Sequence, residues 1–267
     1  MIRPPAVAGH FYPLNSKELA QNVDSFLSPR AEKNRALGCV VPHAGYIYSG
    51  HVAGAVYSSL EKPARLILMG PRHYPRGESL AILSEGSWAS PLGDAKIDSA
   101  LAAELKHEFP RLREDAVAHE REHSLEVQIP FLQRLCGDFR FVPIVLGTDR
   151  YGVLEELGHA VAKVVAAQGE SVLVAASSDM NHYENDAITR VKDEHAIASV
   201  LALDPRGLYD TVRAERITMC GFAATVAMLI AVRELGASKA ELVRYATSGD
   251  INGDRERVVG YAGIVIR

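Results

Sequence analysis

The chain has 267 residues, 48% of them hydrophobic and 23% charged, which supplies material for a full core and excludes a disordered protein. A formal charge of −4, a pI near 6.2 and the lack of any basic run exclude a nucleic-acid-binding surface. Three scattered cysteines without a C-x-x-C exclude a disulfide framework and suit a reducing cytoplasm. One domain over 1–267 is expected, since large α/β domains reach this length without splitting. The N-terminus carries Pro4 and Pro5 and no apolar segment behind a basic start, so no signal peptide is expected. The longest apolar run, Phe222 to Val232, falls well short of the roughly 20 residues a membrane-spanning helix needs.

In chain order, Asn15 with Glu18 resembles a capping box, and Leu19, Val23, Phe26 and Leu27 continue at helical spacing. A polar connector, Ser28 to Arg35, leads to a strand ending at Val41. Ser49 is placed to cap a helix over 50–60, closed by Lys62-Pro63. Arg65 to Met69 reads as a strand buried on both faces. Short strands follow at Ser79 to Ser84 and Ala95 to Ile97, around a turn-rich Gly86 to Gly93, and Asp98 caps a helix through about Phe109. The charged segment Arg113 to His123 is expected as a solvated loop carrying His119. From Ser124 a helical stripe of Leu125, Ile129, Leu132 and Leu135 contains Pro130, which predicts a kink or break. A strand over Phe139 to Leu146, a helix capped by Asp149 to about Gln168, and a strand over Ser171 to Ala176 come next. Helices over about 185–202 and 205–214 precede an apolar helix with Cys220 and Gly221 near its start. Strands near Leu242 to Ala246 and Val258 to Ile266 close the chain. The loop between them fails as a calcium loop, because Arg255 stands where the sharp turn needs glycine. This alternation of buried strands and crossover-length helices predicts an α/β fold, a three-layer α/β/α sandwich with a central mixed sheet.

Three strands, ending near Val41, Met69 and Ala176, each deliver a histidine just beyond their ends: His43, His73 and His182. In an open α/β sheet, ligands bind beyond the carboxyl ends of the strands, so adjacent strands would gather the three imidazoles on one rim. Imidazole is the commonest protein ligand for transition metals. Two candidates for a third ligand stand out, Asp179 and Cys220, the latter at a helix start where the dipole favours a thiolate. Cys39, inside a strand, and Cys136 read as buried thiols.

Five motifs carry a resemblance. Val41-Pro42-His43-Ala44-Gly45-Tyr46, Gly70-Pro71-Arg72-His73, Glu122 to Pro130, Ser177 to His182 and Met219-Cys220-Gly221, with Arg3-Pro4-Pro5-Ala6-Val7-Ala8-Gly9 ahead of them, closely resemble the Memo family. Its prokaryotic members are also called AmmeMemoRadiSam system protein B. The resemblance implies a class III extradiol dioxygenase-like fold, with His43, His73 and Cys220 as metal ligands, His182 as acid/base and Asp179 beside it. Beside these, Arg72 inside the histidine motif is a candidate for meeting an anionic substrate group, and Tyr46 and His123 are candidates for orienting the ligands. Cys220 stands where those dioxygenases have a carboxylate, and a soft thiolate favours copper, zinc or a differently tuned iron.

Two functional readings of different class follow. One is a cytoplasmic non-haem iron or copper oxidoreductase of dioxygenase-like kind, acting on a small molecule. The other is a non-catalytic module that uses the same cleft to bind a peptide or protein, or to hold a metal. The resemblance implies radical-SAM and AMMECR-like proteins as partners. A zinc hydrolase ranks last: no G-x-S-x-G occurs, and the H-E-x-x-H spelling at His119 to His123 lies in a charged segment without the apolar face a zinc-binding helix needs.

Overall fold

Residues 1–28 and 35–267 are described by the computed structural model, so most of the polar connector expected at Ser28 to Arg35 lies outside the described residues. The chain opens with β1 (Ile2–Arg3), α1 (Ser16–Phe26), β2 (Gly38–Val41) and α2 (Tyr46–Ser59). There follow β3 (Arg65–Pro71), β4 (Leu80–Ile82), β5 (Ser87–Ser90), β6 (Gly93–Ile97), α3 (Ser99–Glu108), β7 (Arg113–Glu114) and α4 (Val117–Glu120). A 3₁₀ turn at Glu126–Gln128 leads into α5 (Ile129–Cys136), β8 (Arg140–Leu146), α6 (Tyr151–Ala166) and β9 (Val172–Ser177). Last come β10 (His182–Glu184), α7 (Asp186–Leu201), α8 (Pro205–Ala214), α9 (Phe222–Glu234), β11 (Ala240–Thr247), α10 (Gly249–Asn252) and β12 (Val258–Ile266).

The strands form one mixed sheet in the order β1-β5-β6-β8-β3-β9-β2-β12-β10, with β11 on β12 and β4 on β8. Its centre, β8-β3-β9-β2, is parallel, and β12 closes it antiparallel to β2. The uninterrupted apolar runs are explained by burial on both faces. Leu66 and Leu68 enter a core shared with Leu19 of α1, Tyr57 of α2 and Phe131 of α5. Their neighbours Ile67 and Met69 enter the opposite core, with Leu101 of α3, Leu157 of α6 and Leu229 of α9. Each such fully buried side chain contributes roughly 1.5–3 kcal/mol, enough in sum to specify three layers. Among the described residues, no helix is long and apolar enough to cross a membrane.

Local signals are met at α1, where the Asn15 side chain accepts from the Lys17 and Glu18 N–H groups, and at α3, where Asp98 accepts from Leu101 N–H. Other expectations are corrected. Helix α2 starts at Tyr46, a turn before Ser49, whose hydroxyl donates to the Ala44 carbonyl instead of capping. Pro130 sits in the first turn of α5, where its missing N–H costs nothing, so the stripe breaks at the 3₁₀ turn and the helix starts afresh. Asp149 does not cap α6; it pairs with Arg213. The turn-rich Gly86 to Gly93 holds β5, paired antiparallel with β6. His119 lies not in a solvated loop but wholly buried on α4, its Nδ1–H donating to the Asp115 carbonyl.

The order β3-β9-β2 puts three strand ends side by side. Val41 is registered against Ser177 and Met69 against Ala176. Two residues beyond Val41, Pro71 and Ser177 lie His43, His73 and Asp179, which therefore emerge together at one crevice.

Candidate metal centre

His43 is 1% exposed, and its surroundings decide which nitrogen carries the proton. Ser177 Oγ lies 2.6 Å from the Ser124 carbonyl, which can only accept, so the serine proton is committed there. Gln128 Nε2 donates to the same Oγ at 3.0 Å; its orientation is set by the Pro42 carbonyl on Nε2 and the Tyr57 hydroxyl on Oε1. The 2.9 Å contact between His43 Nδ1 and Ser177 Oγ must then have the imidazole as donor. The neutral ring keeps its lone pair on Nε2. Burial first, then the charge of neighbouring His73, pushes His43 well below the ordinary histidine range, so the ring is neutral at pH 7.

His73 is fixed by a carboxylate. Glu122, fully buried, accepts the His73 backbone N–H at 2.6 Å, His73 Nδ1–H at 2.8 Å and Ser124 N–H at 2.9 Å. Burial alone would raise the Glu122 carboxyl, but the hydrogen bond and charge of His73, the Ser124 N–H and His123 outweigh it and bring it down to about 2. An ionised Glu122 cannot donate, so the proton on His73 Nδ1 is fixed there, and in the neutral ring the lone pair falls on Nε2. Gly70 makes this approach of chains feasible, because a Cβ there would come 2.6 Å from Leu125 Cδ2 and 2.8 Å from Ser124 Oγ.

His123 completes a cluster. One ring nitrogen each from His43, His73 and His123 lies within 4.8 Å of the others, a grouping able to hold a metal ion. The His73 and His123 rings stack at 4.4 Å. His123 Nδ1 is buried without a hydrogen-bond partner, and burial, then the charges of His43 and His73, lowers its pKa to about 4. An orphaned buried nitrogen among lone-pair donors fits an ion rather than another proton.

Cys220 approaches from the start of α9. Its Sγ lies 3.1 Å from His43 Nε2 and receives the Asp179 N–H at 3.3 Å. The expected thiolate is not favoured without a metal: burial, then the Asp179 carboxylate, pushes the thiol up, so S–H faces the His43 lone pair. Gly221 permits this proximity, since its N–H reaches Ser178 Oγ at 3.0 Å and a Cβ would fall 2.6 Å from Ser178 Cβ. Asp179 accepts the His43 backbone N–H at 2.7 Å, and burial raises its pKa against that bond.

His182 opens β10, a strand edge not foreseen from the sequence. Its backbone N–H donates to Thr218 Oγ1 at 2.7 Å and its Nδ1–H to the Thr218 carbonyl at 2.9 Å, which leaves Nε2 as the ring nitrogen without a protein partner. The next residue, Tyr183, has φ 63, a left-handed conformation costly for an aromatic residue and typical of constrained sites. His43, His73, His123, Asp179, His182 and Cys220 line one cleft of about 590 Å³, whose apolar wall includes Phe11 and Tyr261.

Two candidates lie elsewhere. Arg72 donates to the Gly77 carbonyl at 2.6 Å, tying its own loop, and does not line the cleft. Tyr46 is buried among Tyr12, Phe26 and Phe131, with its hydroxyl on the Val127 carbonyl. Sequence reasoning missed Glu122, Ser177 and Gln128 as groups that orient imidazoles. Their only signal was adjacency to histidine motifs; the pairing itself joins residues tens of positions apart.

Fold and site together define an α/β/α sandwich whose strand-end cleft gathers three imidazoles able to hold a metal, with a thiol beside them. The chain belongs to the Memo-like family, whose model, described as Memo-like protein, matches residues 3–265. It is similar to a MEMO1 family protein of Pyrobaculum arsenaticum, 42% identical over 99% of this chain and 98% of that one. A MEMO1 family protein of Methanopyrus kandleri is 40% identical, covering 100% of this chain and 99% of its own. The crystal structure of an uncharacterized protein from Escherichia coli superimposes with TM-score 0.56 at 12% identity, over 86% of this chain and 100% of that one, which shows the shared fold.

Proposed function

We propose that the cleft holds a redox-active ion, iron or copper, on His43, His73 and Cys220, and that the protein is a metal-dependent oxidoreductase of dioxygenase-like kind acting on a small molecule. The observation that carries this reading is the locking of both imidazoles: His43 and His73 each commit Nδ1–H to a buried acceptor and leave Nε2 as a ligand. When bound, such an ion supplies Lewis acidity and a redox couple at open positions. His182, its Nδ1–H held by the Thr218 carbonyl, has Nε2 left for the cleft, and its neutral form takes a proton from a bound substrate there and returns it to the product. Asp179 keeps the His43 loop in register by accepting the His43 backbone N–H. Phe11 and Tyr261 keep water from one side of the cleft. The free thiols suit a cytoplasmic setting, and partners of the radical-SAM and AMMECR-like classes accord with the family resemblance.

Metal analysis of protein purified without added metal or chelator tests the site. The parent is expected to carry iron or copper and the His43→Ala, Cys220→Ser double variant to lack it; an unchanged metal content in the variant overturns the assignment. Oxygen consumption with catechols or small thiols, abolished by His182→Ala, supports the enzyme. Tight peptide binding that survives metal removal, with no turnover, supports a non-catalytic module instead.

A further inference from the structure

The Arg3 to Gly9 motif is far in sequence from the cleft, yet its charged residue is buried against the segment that carries Glu122 and His123. Arg3 is 6% exposed. Its guanidinium spreads over three acceptors of one distant segment: Nε donates to the His119 carbonyl at 2.8 Å, Nη2 to the Glu122 carbonyl at 2.8 Å, and Nη1 to Glu126 Oε2 at 2.7 Å. Its face lies 4.1 Å from the centre of the Trp88 ring. Glu126 in turn has both oxygens filled by the N-terminal segment. Besides Arg3 it accepts Ala6 N–H at 2.8 Å, Val7 N–H at 3.0 Å and the Tyr12 hydroxyl at 2.7 Å. Beyond this grip, Phe11 sets its ring 4.7 Å from that of His123.

The segment so held, 119–126, carries the Glu122 carboxylate and the His123 ring. A stability role alone would not require such a fork, since buried ion pairs are often replaceable by apolar side chains without loss. A planar guanidinium on two carbonyls and a carboxylate fixes where the backbone of residue 122 sits, which a point charge cannot do.

We propose that Arg3 is a positioning residue for the histidine centre: by holding the His119 and Glu122 carbonyls it places the Glu122 carboxylate that keeps His73 as the Nδ1–H form. For its affinity consequence the inference rests on the metal reading above; for the tautomer it does not. Arg3→Met removes the fork at similar length, and Arg3→Lys keeps the charge toward Glu126 without the planar donor set.

Long-range ¹H–¹⁵N spectra of metal-free full-length protein read the His73 tautomer directly. The parent is expected to show Nδ1–H alone, and both variants a mixture with Nε2–H, in folded protein. Copper or zinc titration is expected to show affinity falling about tenfold to a hundredfold, the range for lost outer-shell support. Where Arg3→Met does not fold, Arg3→Lys decides. An unchanged His73 tautomer in folded variants overturns the proposal. Failure of the parent to bind metal, with the tautomer shifting as expected, overturns the metal reading and leaves the positioning role standing.

Discussion

Replacing Glu122 with glutamine keeps the shape and removes one acceptor. The carboxylate serves three donors, His73 N–H, His73 Nδ1–H and Ser124 N–H, with no water access. An amide with its oxygen toward His73 Nδ1 sets NH₂ against the His73 backbone N–H; flipped, it sets NH₂ against Ser124 N–H and donates to Nδ1, which must then be the unprotonated nitrogen. Either way one buried backbone N–H is orphaned, at about 1–3 kcal/mol. The flipped state also drives His73 to Nε2–H, which destroys the ligand lone pair. The pH dependence follows from the carboxyl's fall from 4.5 to about 2. A lowered folded pKa means stability present above the unfolded value and lost as pH falls through the folded one. The parent should therefore lose about 3 kcal/mol between pH 5 and pH 2 through this group, an order-of-magnitude figure from about 1.4 kcal/mol per pK unit. Urea denaturation across that range, with metal titration at pH 7, checks both. Glu122→Gln with parental stability, acid profile and metal affinity would refute the carboxylate's role.

Asp193, buried against Tyr245 and Asn181 N–H, is raised to about 7, by burial above all. A raised carboxyl destabilises as it ionises, so stability should fall between about pH 4 and 7; Asp193→Asn, whose amide still bonds Tyr245, should flatten that fall in pH-dependent denaturation, and an unaltered profile counts against the assignment. Ser177→Ala leaves His43 Nδ1 without its acceptor and should weaken metal binding about tenfold or more in the same titration, with retained affinity speaking against tautomer locking. Gly54→Ala, ordinarily helix-stabilising, should here destabilise by about 1–3 kcal/mol, because its Cβ would fall 2.6 Å from Phe26 Cβ. A rise in the denaturation midpoint would show that α1 yields.

The strands were legible because apolar runs on a doubly covered parallel sheet are continuous, and their histidine loops followed from simple adjacency. That β3, β9 and β2 are neighbours is set by crossover geometry, which no single run encodes. His119 was misjudged for a related reason: its segment has no apolar stripe, being buried by Arg3 and Trp88 from elsewhere in the chain rather than by its own periodicity. β10 is three residues of polar character held by Thr218 and β12, so nothing local announces it. Likewise the carboxylate behind His73 lies 49 residues away, and only the fold reveals that the pair meets.

The third ligand separates two arrangements that differ in a countable proton. The resemblance points to Cys220, whereas the tightest cluster of ring nitrogens adds His123 to His43 and His73. Cys220 is a neutral thiol in the metal-free protein, its S–H facing His43 Nε2 at 3.1 Å, and must shed that proton to become a ligand. His123, lowered to about 4, is already neutral at pH 7 and has none to lose. Calorimetric titration with zinc in buffers of differing ionisation enthalpy counts the protons released on binding. With Cys220 as ligand the parent releases one proton more than Cys220→Ser, and its affinity rises more steeply with pH. Equal release from the two proteins, with binding retained, would assign the ion to the three histidines. The thiol would then donate to the His43 lone pair only in the metal-free protein and turn aside when an ion takes that lone pair.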